Sequence, residues 1–150
     1  MSQIKVNSIV PVGGLPSGAN GGILQVVQAV KTDTFSRNST SFGDITGLSA
    51  AITPSSNSSK ILCDARIYFS VGTGGGSTTI KCNFVRGSTN IGQPSESTTH
   101  ESTMMSWMND PYMLNTNMNF LDSPATTSAT TYKVQVAGDN TAATIYVNRY

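Results

Sequence analysis

The chain has 150 residues, enough for one domain whose core needs no metal or disulfide to hold it. Only 11% of the residues are charged, against roughly 25% in an average soluble protein, and Ser, Thr, Asn and Gly stand in their place. Nine basic against eight acidic residues give a net charge of +1, and no block of Lys or Arg could follow a phosphate backbone, so no nucleic-acid partner is expected. No apolar run approaches the ~20 residues that cross a bilayer as a helix, and residues 1–10 lack the basic start and apolar middle of a signal peptide. A membrane partner is therefore not expected, and the chain reads as one made and kept soluble in a cytosol.

In chain order, residues 1–22 come first and divide in two. The first half alternates weakly. The second is too rich in Gly and Pro for a helix or a central strand. Ile4, Val6, Ile9, Val10, Val12 and Leu15 give this stretch more apolar surface than a solvated linker carries, so it reads as an extended anchoring arm that docks on a partner, bending at Gly13, Gly14 and Pro16. Residues 23–30 (Ile-Leu-Gln-Val-Val-Gln-Ala-Val) are β-branched and apolar on both faces, which predicts a strand covered from both sides, opening a knob domain over residues 23–150. Residues 31–41 are polar with Phe35 as their one anchor. Past Gly47, the residues Leu48, Ala50 and Ile52 share a face.

The strongest periodicity lies in residues 61–71, where Ile61, Cys63, Ala65, Ile67, Phe69 and Val71 alternate with Asp64, Arg66, Tyr68 and Ser70. A period of two sends these sets to opposite sides of a sheet, and the flanking Ser- and Gly-rich stretches mark the ends. Residues 79–86 repeat the pattern with Ile80, Cys82 and Phe84 inward, predicting a hairpin through residues 72–77. In that hairpin Cys63 would face a position near Arg86, so Cys63 and Cys82 are expected as core thiols and not as a disulfide.

Residues 87–102 form a long polar stretch holding Pro94, Glu96, His100 and Glu101, the kind of place where functional loops occur. Next, Met104, Met105, Met108, Met113 and Met118 gather around Trp107 and Tyr112, a cluster that is either core or a contact surface. Met104, Met108, Trp107 and Tyr112 are its candidates for a subunit contact. A further strand is expected at 117–121 and a loop at 122–128. The chain closes with an expected hairpin, Tyr132, Val134 and Val136 on one strand and Ala143, Ile145 and Val147 on the other, turning at Gly138-Asp139-Asn140. Many short strands, frequent turn signals and no amphipathic helix predict an all-β fold, a jelly-roll-like antiparallel sandwich.

Catalytic motifs are sparse. The one histidine, His100, has no zinc-type spacing around it, so no metal or cofactor is expected. No Gly-x-Ser-x-Gly elbow occurs, and both cysteines sit in strand interiors. Glu96 with Glu101 or Asp110 could supply a carboxylate pair for sugar cleavage, but no pattern singles them out. The glycines at 72–76 lack the Lys and following helix of a phosphate loop. The expectation is a protein without catalytic residues.

Three blocks carry a resemblance. Ile4-Lys5-Val6-Asn7-Ser8-Ile9-Val10-Pro11, with Gly13-Gly14-Leu15-Pro16-Ser17-Gly18-Ala19 and Gly21-Gly22-Ile23-Leu24-Gln25-Val26-Val27-Gln28, resembles the start of small tail-fibre-like virion structural proteins of tailed phages, those of cyanobacteria and other aquatic bacteria. Asp44-Ile45-Thr46-Gly47-Leu48, with Ile52-Thr53-Pro54 and Ser58-Ser59-Lys60-Ile61-Leu62, is similar to their next block, and Tyr132-Lys133-Val134-Gln135-Val136 with Tyr146-Val147-Asn148-Arg149 to their end. The likeness covers about the first 70 and last 20 residues. It implies a homotrimeric β-rich knob carried on the virion, on capsid or tail, by its N-terminal arm. The arm would bind the major capsid protein or a tail protein, and a fibre head would bind a host surface glycan. Many relatives continue past the position of Tyr150 into a further strand, so the sheet edge there is expected to need other cover.

Overall fold

A computed structural model describes residues 23–72, 76–95, 102–109 and 112–149. Nine strands and no helix are found among them: β1 (Phe35–Arg37), β2 (Gly43–Ile52), β3 (Ile61–Val71), β4 (Thr78–Arg86), β5 (Thr89–Ile91), β6 (Met104–Met108), β7 (Leu114–Asp122), β8 (Thr130–Ala137) and β9 (Ile145–Val147). They form two antiparallel sheets, one ordered β1-β9-β3-β7, the other β2-β8-β4-β5 with β6 also on β4.

The pairing is nested. β1 pairs with β9, β2 with β8, β3 with β7 and β4 with β6, as in one long antiparallel ribbon folded at its middle. Rolling the ribbon seats β9 beside β3 and β8 beside β4, which gives the jelly roll expected from the strand pattern. Residue-level alternation explains how the two sheets meet. Phe69, Ile80, Cys82, Val136, Ile145 and Val147 are buried from both sheets, with Phe69 the largest side chain fully enclosed. The inward set predicted for residues 61–71 faces this core, as do those predicted for 80–84, 132–136 and 143–147.

Both predicted hairpins are corrected. β3 and β4 lie in different sheets, and so do β8 and β9, because each of these connections crosses from one layer to the other. Cys63 faces Phe120, and Cys82 faces Val136 and Met104; both thiols are free and buried. Among the described residues a tight hairpin joins β4 to β5 within the stretch read as a loop, with Arg86 opposite Thr89 and Gly87 at φ 60° in the first turn position, where a residue with a Cβ is strained. β9 is an interior strand between β1 and β3, so the end of the chain is not a sheet edge.

β2 is longer than its sequence suggests. Its register with β8 jumps between Asp44, opposite Gln135, and Ser49, opposite Lys133, so five steps on β2 match two on β8. Gly47, at φ 90°, sits in this bulge and lets the strand continue through it.

Residues 23–30 are the main departure. They form no strand and lie exposed, with Ile23 82%, Val26 79% and Val30 69% accessible. A segment apolar on both faces needs a covering layer on each side, and the interior between the two sheets is filled by their own side chains. The root of the segment is held. Asn148, in the left-handed region at φ 54°, donates its Nδ2 to the carbonyls of Lys31 (2.8 Å) and Asp33 (3.3 Å), while its backbone N–H bonds Tyr68.

Candidate interaction surfaces

The arm residues Ile4, Val6, Ile9, Val10, Val12 and Leu15 lie outside the described residues, as do Glu96, His100, Glu101 and Asp110. Among the described residues, no group of three or more His, Cys, Asp or Glu could hold a metal ion. No helix among them is long and apolar enough to cross a membrane.

The methionine cluster divides by strand phase. On β6, Met108 is buried and Met104 packs against the core, whereas the alternate residues Met105 and Trp107 point outward, Trp107 being 61% exposed. Tyr112 and Met113 are exposed, and Met118 is buried on β7. The four candidate contact residues therefore separate into Met104 and Met108, which are core, and Trp107 and Tyr112, which are surface. Leu62 and Leu121, directly paired between β3 and β7, form a smaller exposed apolar spot that the alternation did not flag.

At one end of the sandwich the β4–β5 turn and the β7–β8 loop converge. Arg86, Ser88, Thr89, Thr126, Thr130 and Thr131 line an open depression of ≈ 450 Å³ there. Arg86, in its lining, also belongs to a clasp between the sheets. Asp122 of β7 accepts two bonds from Arg86 Nη1 of β4, at 2.8 and 2.9 Å, and one from the Tyr132 hydroxyl of β8 at 2.6 Å. Burial, then the bond to the Asp122 carboxylate, pushes the Tyr132 hydroxyl well above its ordinary pKa, so it stays a donor. These three residues come from separate strands, and no local pattern announced them.

The nucleophiles have little reach. Burial, with a smaller contribution from Asp122, pushes the Cys63 thiol up to about 11, and burial raises Cys82 further still. At neutral pH both stay protonated, which is the unreactive form. Of the surfaces expected to matter, the structure brings together the start of the 87–102 stretch and the 122–128 loop, while Trp107 stands on a different strand edge and does not line their depression.

Compared with known protein families the chain matches none, and no curated protein matches it.

Proposed function

We propose that this chain is a non-enzymatic structural protein of a tailed-phage virion, a capsid decoration or cement protein whose residues 1–22 lie along the major capsid protein. One observation carries the reading. Immediately after the stretch read as an arm, five large aliphatic side chains of residues 23–30 remain exposed on a knob whose own core is filled, as expected of a chain that completes its burial in an assembly. The block-wise resemblance of the sequence supports the virion as that assembly, with a homotrimer as the unit carried. Three arms on one trimer multiply weak binding through high effective concentration. Deleting residues 2–20 should leave a folded knob that no longer joins particles. Retained incorporation would sink the arm.

A second reading, the receptor-binding head of a tail fibre, is favoured by the outward Trp107, whose face could stack on a host surface glycan. Trp107→Ala should then lower adsorption to cells without lowering incorporation. Immunogold labelling of intact virions separates the two, since gold over the head marks a decoration protein and gold on the tail marks a fibre head.

A further inference from the structure

We infer that residues 23–30 act as an intermolecular strand, pairing in a second copy of this chain with the edge of β6 that no described strand occupies. The inference does not depend on a virion, because it concerns only what the knob does with its own copies.

The segment needs a site that is apolar on both sides. Leu24, Val26 and Val30 share one phase and Ile23, Val27 and Ala29 the other, and the five large ones are all exposed, a surface on the order of several hundred Å². Exposed edges of a sheet are templates for such a strand. The edges differ in chemistry. β2 presents Asp44, Thr46 and Ser49 on its outer face, and β7 presents Asn115, Asn117 and Asn119; an incoming strand would bury one apolar face against polar side chains there. β7 adds one large apolar residue, Leu121, at the end of that asparagine row, whereas β6 carries two on each face, Met104 and Met108 inward, Met105 and Trp107 outward. A strand added beside it would set one phase against the sandwich interior and the other against Met105 and Trp107. Eight extended residues span roughly 26 Å, enough to cover the roughly 17 Å of five-residue β6.

Geometry favours a second copy over the chain's own β6. The segment leaves the knob at Lys31, whose Nζ lies 3.9 Å from where a Cβ at Gly47 would stand, beside β2. β2 is one edge of the sheet and β6 is at the other, with β8 and β4 between. Reaching its own β6 would carry the segment across a sheet face, whereas a neighbour's edge can be met by rotation. A contact of one segment with a different surface on the next copy closes into a ring when the rotation allows.

The single tryptophan makes the test direct. In the full chain at high concentration, sedimentation should give a mass of two or more chains, and acrylamide should quench Trp107 several-fold less than in the diluted monomer. The double variant Leu24→Asp/Val26→Asp should keep its far-ultraviolet circular dichroism and melting behaviour but sediment as a monomer with Trp107 fully quenchable. As a second measurement, Val26→Cys and Met105→Cys chains are co-expressed and treated with a bis-maleimide, Cys63 and Cys82 being buried. A link between the two different chains, absent from either variant alone, is the expected product. Linking only when both substitutions sit in one chain would place the segment on its own β6 and overturn the inference. A wild type that stays monomeric at every concentration, or an oligomer that survives the double substitution with Trp107 still shielded, would overturn it as well.

Discussion

Asp122 shows how much a single buried carboxylate can hold together. It is buried on β7 and receives Arg86 and Tyr132 from the opposite sheet, so the two layers are joined by charge-assisted bonds at the end where the core tapers. Tyr132→Phe removes one donor and leaves Arg86 in place, so urea denaturation should register a loss of about 1–2 kcal/mol. Asp122→Ala strands Arg86, whose side chain is partly exposed and can turn to water, so the cost should be larger but stay below the 3–5 kcal/mol typical of breaking a fully buried pair. Equal losses for the two variants would mean that the arginine contributes nothing. Ser70 makes the related point that alternation is a guide to pattern and not to burial: it falls on the polar phase of β3, yet it is buried and donates its hydroxyl to the Arg149 carbonyl.

Elements are shaped by where the chain must bend or be approached, and two glycines show the difference. At Gly92 the backbone is left-handed, φ 71°, and a Cβ would stand 2.8 Å from the Phe120 ring of the opposite sheet. At Gly43 an added Cβ would meet the Arg37 guanidinium, but that group is the end of a flexible side chain, held there by bonds to the Ser41 carbonyl. Gly92→Ala should therefore cost about 1–3 kcal/mol through backbone strain, with ring displacement adding to it, while Gly43→Ala should cost about 1 kcal/mol as the arginine swings away. Thermal melts of the two variants check the order. The loop after β8 is fastened in the same local manner. Asp139 Oδ1 accepts from the Thr78 hydroxyl at 2.8 Å and the Thr79 N–H at 2.9 Å, and Asn140 reaches the Ser77 carbonyl.

For the whole molecule, these fastenings set the response to pH. The bonds of Lys133 and then Gln135 hold the Asp44 carboxyl below its ordinary value of 3.8. At Asp139 desolvation works the other way but is outweighed by the Thr79 and Thr78 bonds, so this carboxyl is lowered too. A carboxyl depressed in the fold stabilises it above the unfolded pKa, and that stability is lost as pH falls through the folded value. Tyr132, Cys63 and Cys82 are raised instead, so their contribution is complete below their ordinary values of 10.0 and 9.0 and fades as pH rises beyond them. The urea midpoint should thus be flat through neutrality, fall below about pH 4 and fall again above about pH 9. Asp139→Asn should flatten the acid limb; an unchanged acid limb in that variant would remove Asp139 from the account.

The positions and inward faces of β3, β4, β8 and β9 were legible in the sequence because a period of two is a local property: each of Cys63, Ile67, Ile80, Cys82, Val134 and Ile145 announces its side by its immediate neighbours, whereas the short β1, β5 and β6 carry too few alternations to be read. The all-β class and the jelly-roll-like layering follow from that alternation together with the density of turn signals. Pairing was decided only by the tertiary structure. Phe35 lies opposite Val147, 112 residues away, and no neighbouring residue encodes such a partner, so consecutive strands that read as hairpins lie in opposite layers. The Asp122 clasp was hidden for the same reason. Residues 23–30 mark the boundary between the two kinds of knowledge. Their composition predicted a strand covered on both faces; the tertiary structure leaves them exposed and outside every strand, because the interior between the sheets is occupied by the sheets' own side chains.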